Sequence, residues 1–350
     1  MKTNFWKHAA AATVLVSGSI AQAGQTLDQH DFKVLGTWNT LTHFNDYEEP
    51  FWSTWLSDAS EGAIEGDITS MSVMGLDGYE NLNLLKRGVF DFGHITIGYV
   101  TGNVPEMEMI DMAGVSTTMD TSRKVANVYG DAMESYLEER QNAKMIATYP
   151  FSSAFILCNA PIESLTDLKG KKIRTYSASL ADFVKGAGGV SVTVPFAEIA
   201  PALEKGVADC AITGSMSAYQ TKLHEVTTHV YGLPLNVGLV GVFANRDMWN
   251  GLSESVRAFM EEQIAGWEEK VWLELGGLGA EGIACLTGTD ECSYGKPGNL
   301  KLVEVSDEDD TLRLEILQNS VFPNWLDRCG EDCKELWNGT AGAAINLKIK

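Results

Sequence analysis

The side chains able to do chemistry are scattered along this chain, and no compact catalytic motif gathers them. There is no G-x-S-x-G, no H-E-x-x-H and no glycine-rich phosphate loop. Glu48 and Glu49 are adjacent, so on a helix they point apart and share no reaction. An enzyme would need a site assembled from distant residues, and neither a catalytic residue nor a cofactor is assigned. The single most suggestive group is Arg174, at the end of the short stretch Lys172-Ile173-Arg174. A guanidinium is always charged, and its planar fork fits a carboxylate with two parallel hydrogen bonds. The plain alternative is a solvated arginine at a strand end.

The elements that must position these groups alternate between strand and helix. Phe32 to Gly36 reads as a strand, Glu48 to Ser60 as a helix, Ile68 to Met74 as a strand and Tyr79 to Arg87 as a helix closed by Gly88. Phe90 to Ile95 is a short strand and loop. Ser122 to Glu138 is a long amphipathic helix, and Lys144–Thr148 and Ala154–Cys158 are two strands. Beyond Arg174 come a helix from Ser179, a strand at Val190–Val194, a helix from Phe196 to near Gly206 and a buried strand at Asp209–Ile212. Val240–Asn245 is a further strand. A long helix follows from Ser253 to Leu275, with Ser253, Glu254 and Ser255 at its cap. The pattern predicts an α/β fold with a mixed or parallel sheet. In such sheets ligands bind at the carboxyl ends of strands. That rule selects Trp38 and Asn39 after the first strand, His94 after Phe92-Gly93, Arg174, and the pair Thr213 and Ser215. Trp38 has a lobe-core alternative and His94 a purely structural one.

Bulk properties restrict the partners. The formal charge is −21, and loss of the two lysines of an N-terminal leader takes it to −23. So acidic a surface argues against nucleic acid and anionic membrane. The leader itself is read from Lys2 and Lys7, the apolar run Ala9 to Val16, and the A-x-A site Ala21-Gln22-Ala23. Residues 1–23 are thus expected to be a signal peptide cut after Ala23, which implies a periplasmic location. The apolar run is far shorter than the roughly 20 residues of a membrane span. Six cysteines in an exported chain suggest disulfides. Cys285 and Cys292, and Cys329 and Cys333, are near neighbours expected to pair as local clips. Cys158 and Cys210 either pair across adjacent strands or stay as buried thiols. Their spacings match no usual zinc site, and no metal is assigned.

The stretch Asp167-Leu168-Lys169-Gly170-Lys171-Lys172-Ile173-Arg174 resembles the D-L-K-G-x-K-I-R strand of the solute receptors of tripartite ATP-independent periplasmic (TRAP) transporters, the DctP-type family. Glu198, Ala202, Leu203, Gly206, Val207 and Asp209 continue the likeness in order and spacing. The resemblance implies a two-lobed periplasmic-binding-protein fold, or Venus flytrap, with mixed sheets and a long helix behind both lobes. It implies lobe I from residues 25–151 and 239–275, and lobe II from 152–238 and 276–350. Arg174 matches the family's carboxylate clamp. Phe196 matches an aromatic that packs on the ligand in sialic-acid-type members, and Thr213 stands where those members place an Asn. A second arginine of theirs would fall near Ala154 and is missing, which argues against sialic acid. Tyr176 would cover the bound acid, and Asn236 near the return crossing would be a hinge residue or a contact. The implied function is capture of a small organic acid and delivery to integral-membrane TRAP permease subunits driven by an ion gradient, by a monomer. A ligand-sensing module that signals to a membrane kinase would capture its ligand in the same way, and a periplasmic enzyme is the remaining alternative.

Overall fold

The computed structural model describes residues 27–290 and 292–350, so the leader assigned above lies outside the described residues. Nine strands form one mixed sheet: β1 (His30–Gly36), β2 (Ile64–Ser70), β3 (Phe92–Thr96), β4 (Ala143–Cys158), β5 (Lys172–Thr175), β6 (Val190–Thr193), β7 (Cys210–Gly214), β8 (His229–Asn245) and β9 (Lys301–Val303). The order is β2-β1-β3-β8-β4-β7-β5-β6, and β9 pairs with β8. At one end β1 runs parallel to β2 and β3, and at the other β5 runs parallel to β6 and β7. Parallel neighbours need crossover connections, which the helices between them supply. The two parallel ends are two α/β halves.

Two long antiparallel strands join the halves. The later part of β8, Val240 to Ala244, pairs with β3, while the later part of β4, Ala154 to Cys158, pairs with β7. β4 and β8 pair with each other along nearly their whole length, with register shifts at Met145/Ala147, Pro150/Ser153 and Ala154/Ile156. Such irregularities bend a strand locally, and Pro150 has no N–H to give to the ladder. The sequence reading of two strands around Pro150 therefore gives way to one strand with a bend.

Helices cover the sheet: α1 (Met119–Gln141), α2 (Ala178–Gly186), α3 (Ser215–Gln220), α4 (Glu254–Leu275), α5 (Leu278–Thr287), α6 (Asp307–Ile316) and α7 (Phe322–Cys329) are those used below. Thr118 caps α1 by accepting from the N–H of Thr121. The long helix α4 packs on β4 through Trp267 and Trp272, whose indole N–H groups donate to the carbonyls of Tyr47 (3.1 Å) and Thr148 (2.6 Å). Trp52 and Trp267 are both essentially fully buried and serve packing. The acidic run Glu304 to Asp310 leads into α6. Ser306 caps α6 there, and the acids in its first turn complement the helix dipole. Disulfides join Cys158 to Cys210, Cys285 to Cys292 and Cys329 to Cys333. The first links directly opposed residues of β4 and β7, which resolves the open alternative in favour of pairing. No described helix is long and apolar enough to cross a membrane.

Candidate ligand-binding site

Arg174 is delivered by a tightly specified turn. Ser164 and Asp167 form a capping box around Leu165–Leu168, and Gly170 adopts φ 75°, a left-handed conformation open to glycine. The chain then enters β5, where Arg174 is 1% exposed. Its Nε donates to the carbonyl of Val194 (2.8 Å) and Nη1 to that of Ile212 (2.9 Å), which lays the guanidinium across the carboxyl ends of β5, β6 and β7. Nη2 donates to the Tyr99 hydroxyl at 3.1 Å. A guanidinium carries five N–H groups, so one on each terminal nitrogen is left over. Among the described residues no carboxylate lies within salt-bridge distance of it. A buried, unpaired charge is costly, which makes an anion the natural complement.

A cavity of about 40 Å³ opens beside this fork, at the bend between the halves. Trp38 after β1, Thr96 at the end of β3, and Tyr99 line it from one half. Arg174, Tyr176, Phe196, Thr213, Gly214 and Ser217 line it from the other, and Phe151, Ser152, Ala154 and Gly238 come from the crossing strands. The aromatic rings brace one another. Trp38 lies 4.9 Å from Phe196, 5.7 Å from Tyr99 and 6.2 Å from Phe151, centroid to centroid. Tyr99 stacks flat on Tyr79 at 4.4 Å. Its oxygen accepts from both Arg174 and the Phe196 N–H, which leaves its own proton unspent. Burial raises the Tyr99 pKa against the pull of Arg174, so it remains a neutral phenol. The hydroxyl Oγ1 of Thr96 is buried without a partner.

Tyr176 supports the guanidinium from below, with its ring 5.4 Å away. Its hydroxyl accepts from Asn236 Nδ2 at 3.1 Å, and the same amide donates to Asp111. Gly98 permits this packing, since a Cβ there would lie 2.7 Å from the Tyr176 ring. Burial pushes the Asp111 carboxyl up from 3.8 to about 8, opposed by the hydrogen bond from Asn236. Asp111 is therefore mostly neutral at pH 7 and adds little negative charge near Arg174.

Five of the sequence candidates meet in this cavity: Arg174, Trp38, Tyr176, Phe196 and Thr213. Four do not line it. Asn39 is exposed, and its backbone N–H donates to Ser70 Oγ at 3.1 Å. Ser215 is fully buried and donates to the carbonyl of Gly279 at 2.8 Å, fastening α5 to α3. Asn236 lies behind Tyr176. His94 lies deeper in the first half because β3 runs on to Thr96, one pleat repeat beyond it. Trp52 donates its indole N–H to His94 Nε2 at 2.7 Å, so the proton of the neutral ring sits on Nδ1, facing the Tyr149 hydroxyl at 2.9 Å. Tyr149 in turn donates to Glu48 at 2.8 Å. Burial lowers the His94 pKa to about 3, which keeps this chain of bonds neutral at the histidine. Tyr99 and Thr96 went unselected. Ending β3 at Thr96 instead of at Phe92-Gly93 would have brought Thr96 into view.

The chain matches the model of the DctP family, described as bacterial extracellular solute-binding protein, family 7, over residues 42–276. A solute-binding protein of Albidiferax ferrireducens is 27% identical over 219 residues, 62% of this chain and 63% of that protein. The C4-dicarboxylate-binding periplasmic protein DctP of Rhodobacter capsulatus is 26% identical over 167 residues, 46% of this chain and 49% of its own. The aligned stretches thus span from about half to just under two thirds of these relatives. Among solved structures, a Bordetella pertussis extracytoplasmic solute receptor binding pyroglutamic acid superposes with a TM-score of 0.78 at 19% identity, covering 88% of this chain and 98% of that one. A TRAP periplasmic solute-binding protein of Desulfovibrio salexigens with bound orotic acid gives 0.80 at 16% identity, with 91% and 99% covered. At these identities the structural likeness concerns the fold. The family match rests on the sequence, extends over more than half of the chain and includes the turn, β5 and Arg174, so the chain belongs to the bacterial extracellular solute-binding proteins of family 7.

Proposed function

We propose that this chain is the extracytoplasmic receptor of a TRAP transporter, which captures a small organic carboxylate between its two halves and presents it to an ion-gradient-driven membrane permease. The observation that carries this reading is the fully buried Arg174, fixed by three hydrogen bonds, with no acidic partner among the described residues and two N–H groups unspent beside the cavity. The carboxylate supplies the missing charge and accepts both bonds. Lobe I comprises residues 25–151 and 239–275 and lobe II 152–238 and 276–350, with the bends of β4 and β8 as the hinge. Trp38, Thr96 and Tyr99 belong to the first lobe; Arg174, Phe196 and Thr213 belong to the second. A ligand that touches both sets stabilises the closed form, because only closure makes all the contacts. The leader read at residues 1–23 would place the receptor in the periplasm. The process is capture, with no covalent step.

A thermal-shift screen of the purified protein against a library of small organic acids tests this reading. A binder of the native state at 100 times its Kd adds about 2.7 kcal/mol of stability. At least one carboxylate is expected to raise Tm by several degrees. A library in which no acid shifts Tm, while neutral sugars or amines do, contradicts it.

A further inference from the structure

We infer that the captured acid is a monocarboxylate with an apolar body and no second charge. This deepens the reading above and rests on it. Arg174 is the only charged residue among those lining the cavity, which otherwise holds no Asp, Glu, Lys, His, Asn or Gln. A second carboxylate would find no cation, and an amino group would find no anion. At the bend of β4 the cavity is lined by Ala154, which brings no charge. Asp111 does not line the cavity. It sits behind Tyr176 and is engaged by Asn236.

The polar inventory is equally short. Apart from Arg174 and the phenols, the side-chain donors are the indole N–H of Trp38 and the hydroxyls of Ser152, Thr96, Thr213 and Ser217. Ser152 accepts from the backbone N–H of Met216 at 3.1 Å, which occupies one lone pair and leaves its proton to donate. Thr213 follows Ile212, whose carbonyl holds Nη1 of Arg174, so its hydroxyl belongs to the carboxylate end. A sugar acid carries several hydroxyls, each of which loses water on entry and needs a partner of its own. Beyond this short set the lining side chains provide none. Trp38, Phe151, Phe196, Leu41 and Ala154 offer apolar surface, and the rings are fixed by their mutual contacts. This arrangement gains from burying carbon and loses from burying any further polar group.

Isothermal titration calorimetry on the purified chain, freed of carried-over ligand, separates the possibilities. The probes are benzoate, phenylacetate and 4-methylpentanoate on one side, and succinate, glutamate and glucuronate on the other. At least one apolar monocarboxylate is expected to bind a hundred-fold or more tightly than each of the three polar acids. If succinate, glutamate or glucuronate binds as tightly as the best apolar acid, the inference fails while the carboxylate-receptor reading stands. If none of the six binds and the wider acid screen is also empty, both fail.

Discussion

Asp111 shows how a residue outside the cavity sets the conditions under which the cavity works. In the unfolded chain its carboxyl ionises near 3.8, but burial holds the folded value at about 8. The folded state therefore keeps a proton that the unfolded state gives up, and its stability falls as pH rises through that window. Glu48 and Glu108, both pushed up to about 7 by burial, act in the same direction. His43 and His94, lowered by burial to about 4 and about 3, oppose it, but only below 6.5, where the unfolded imidazoles charge. The net fall is thus steepest above about pH 6.5. Thermal melts are expected to show Tm decreasing from pH 6.5 to 8.5, and less steeply for Asp111→Asn, whatever that variant's absolute Tm. Equal slopes would remove Asp111 from this account. Arg174 was legible in the sequence because its turn and strand carry a specific pattern of residues. Tyr99 was not, since its role comes from contacts with Arg174 and Phe196, which are remote in sequence. Reading β3 as ending at Phe92-Gly93 instead of at Thr96 exchanged His94 for Thr96.

At the scale of elements, alternation in the sequence revealed most strands and helices, including the long helix α4. The crossing strands were harder. Pro150 splits the apolar pattern of β4, and the earlier part of β8 contains Gly232, Pro234 and Gly238, all residues that normally interrupt a strand. Pairing of these two strands with each other overrides that local preference. The C-terminal segment also carries a role hidden from local pattern. On α7, Arg328 reaches both Glu108 (2.8 Å) in the 3-10 helix Pro105–Asp111 and Asp182 (2.7 Å) on α2, bracing the two halves from behind. Glu108 is fully buried, so its removal from this partner is expensive. Because Arg328 is partly exposed, solvent screening reduces the effect to on the order of 2 kcal/mol. Arg328→Ala is expected to lower stability by that amount at pH 8, measured by denaturant unfolding. The loss should shrink at pH 5, where Glu108 is protonated. A loss independent of pH would place the contribution in packing instead.

For the whole molecule, one sheet divided by two bent strands puts Arg174 on one half and Trp38 and Tyr99 on the other, around one cavity. Contacts across the mouth of the cleft match this division: Thr42 of the first half donates its backbone N–H to the Gln220 side chain at 3.4 Å, and the Gln220 amide donates back to its hydroxyl. The α/β class was readable from the alternation of strand and helix, and the two halves followed from the resemblance carried by Asp167 to Arg174. Their meeting point was not, because it depends on how β4 and β8 bend. Closure on an acid requires that Arg174 bind its carboxylate, and this is the claim on which the rest depends. Calorimetry of the best-binding acid should compare the wild type with Arg174→Ala, with thermal melts of both proteins to show that each is folded. The account predicts a loss of roughly 2–5 kcal/mol, about 30-fold to several thousand-fold in Kd. A folded Arg174→Ala protein that binds the acid with near-wild-type affinity would contradict it.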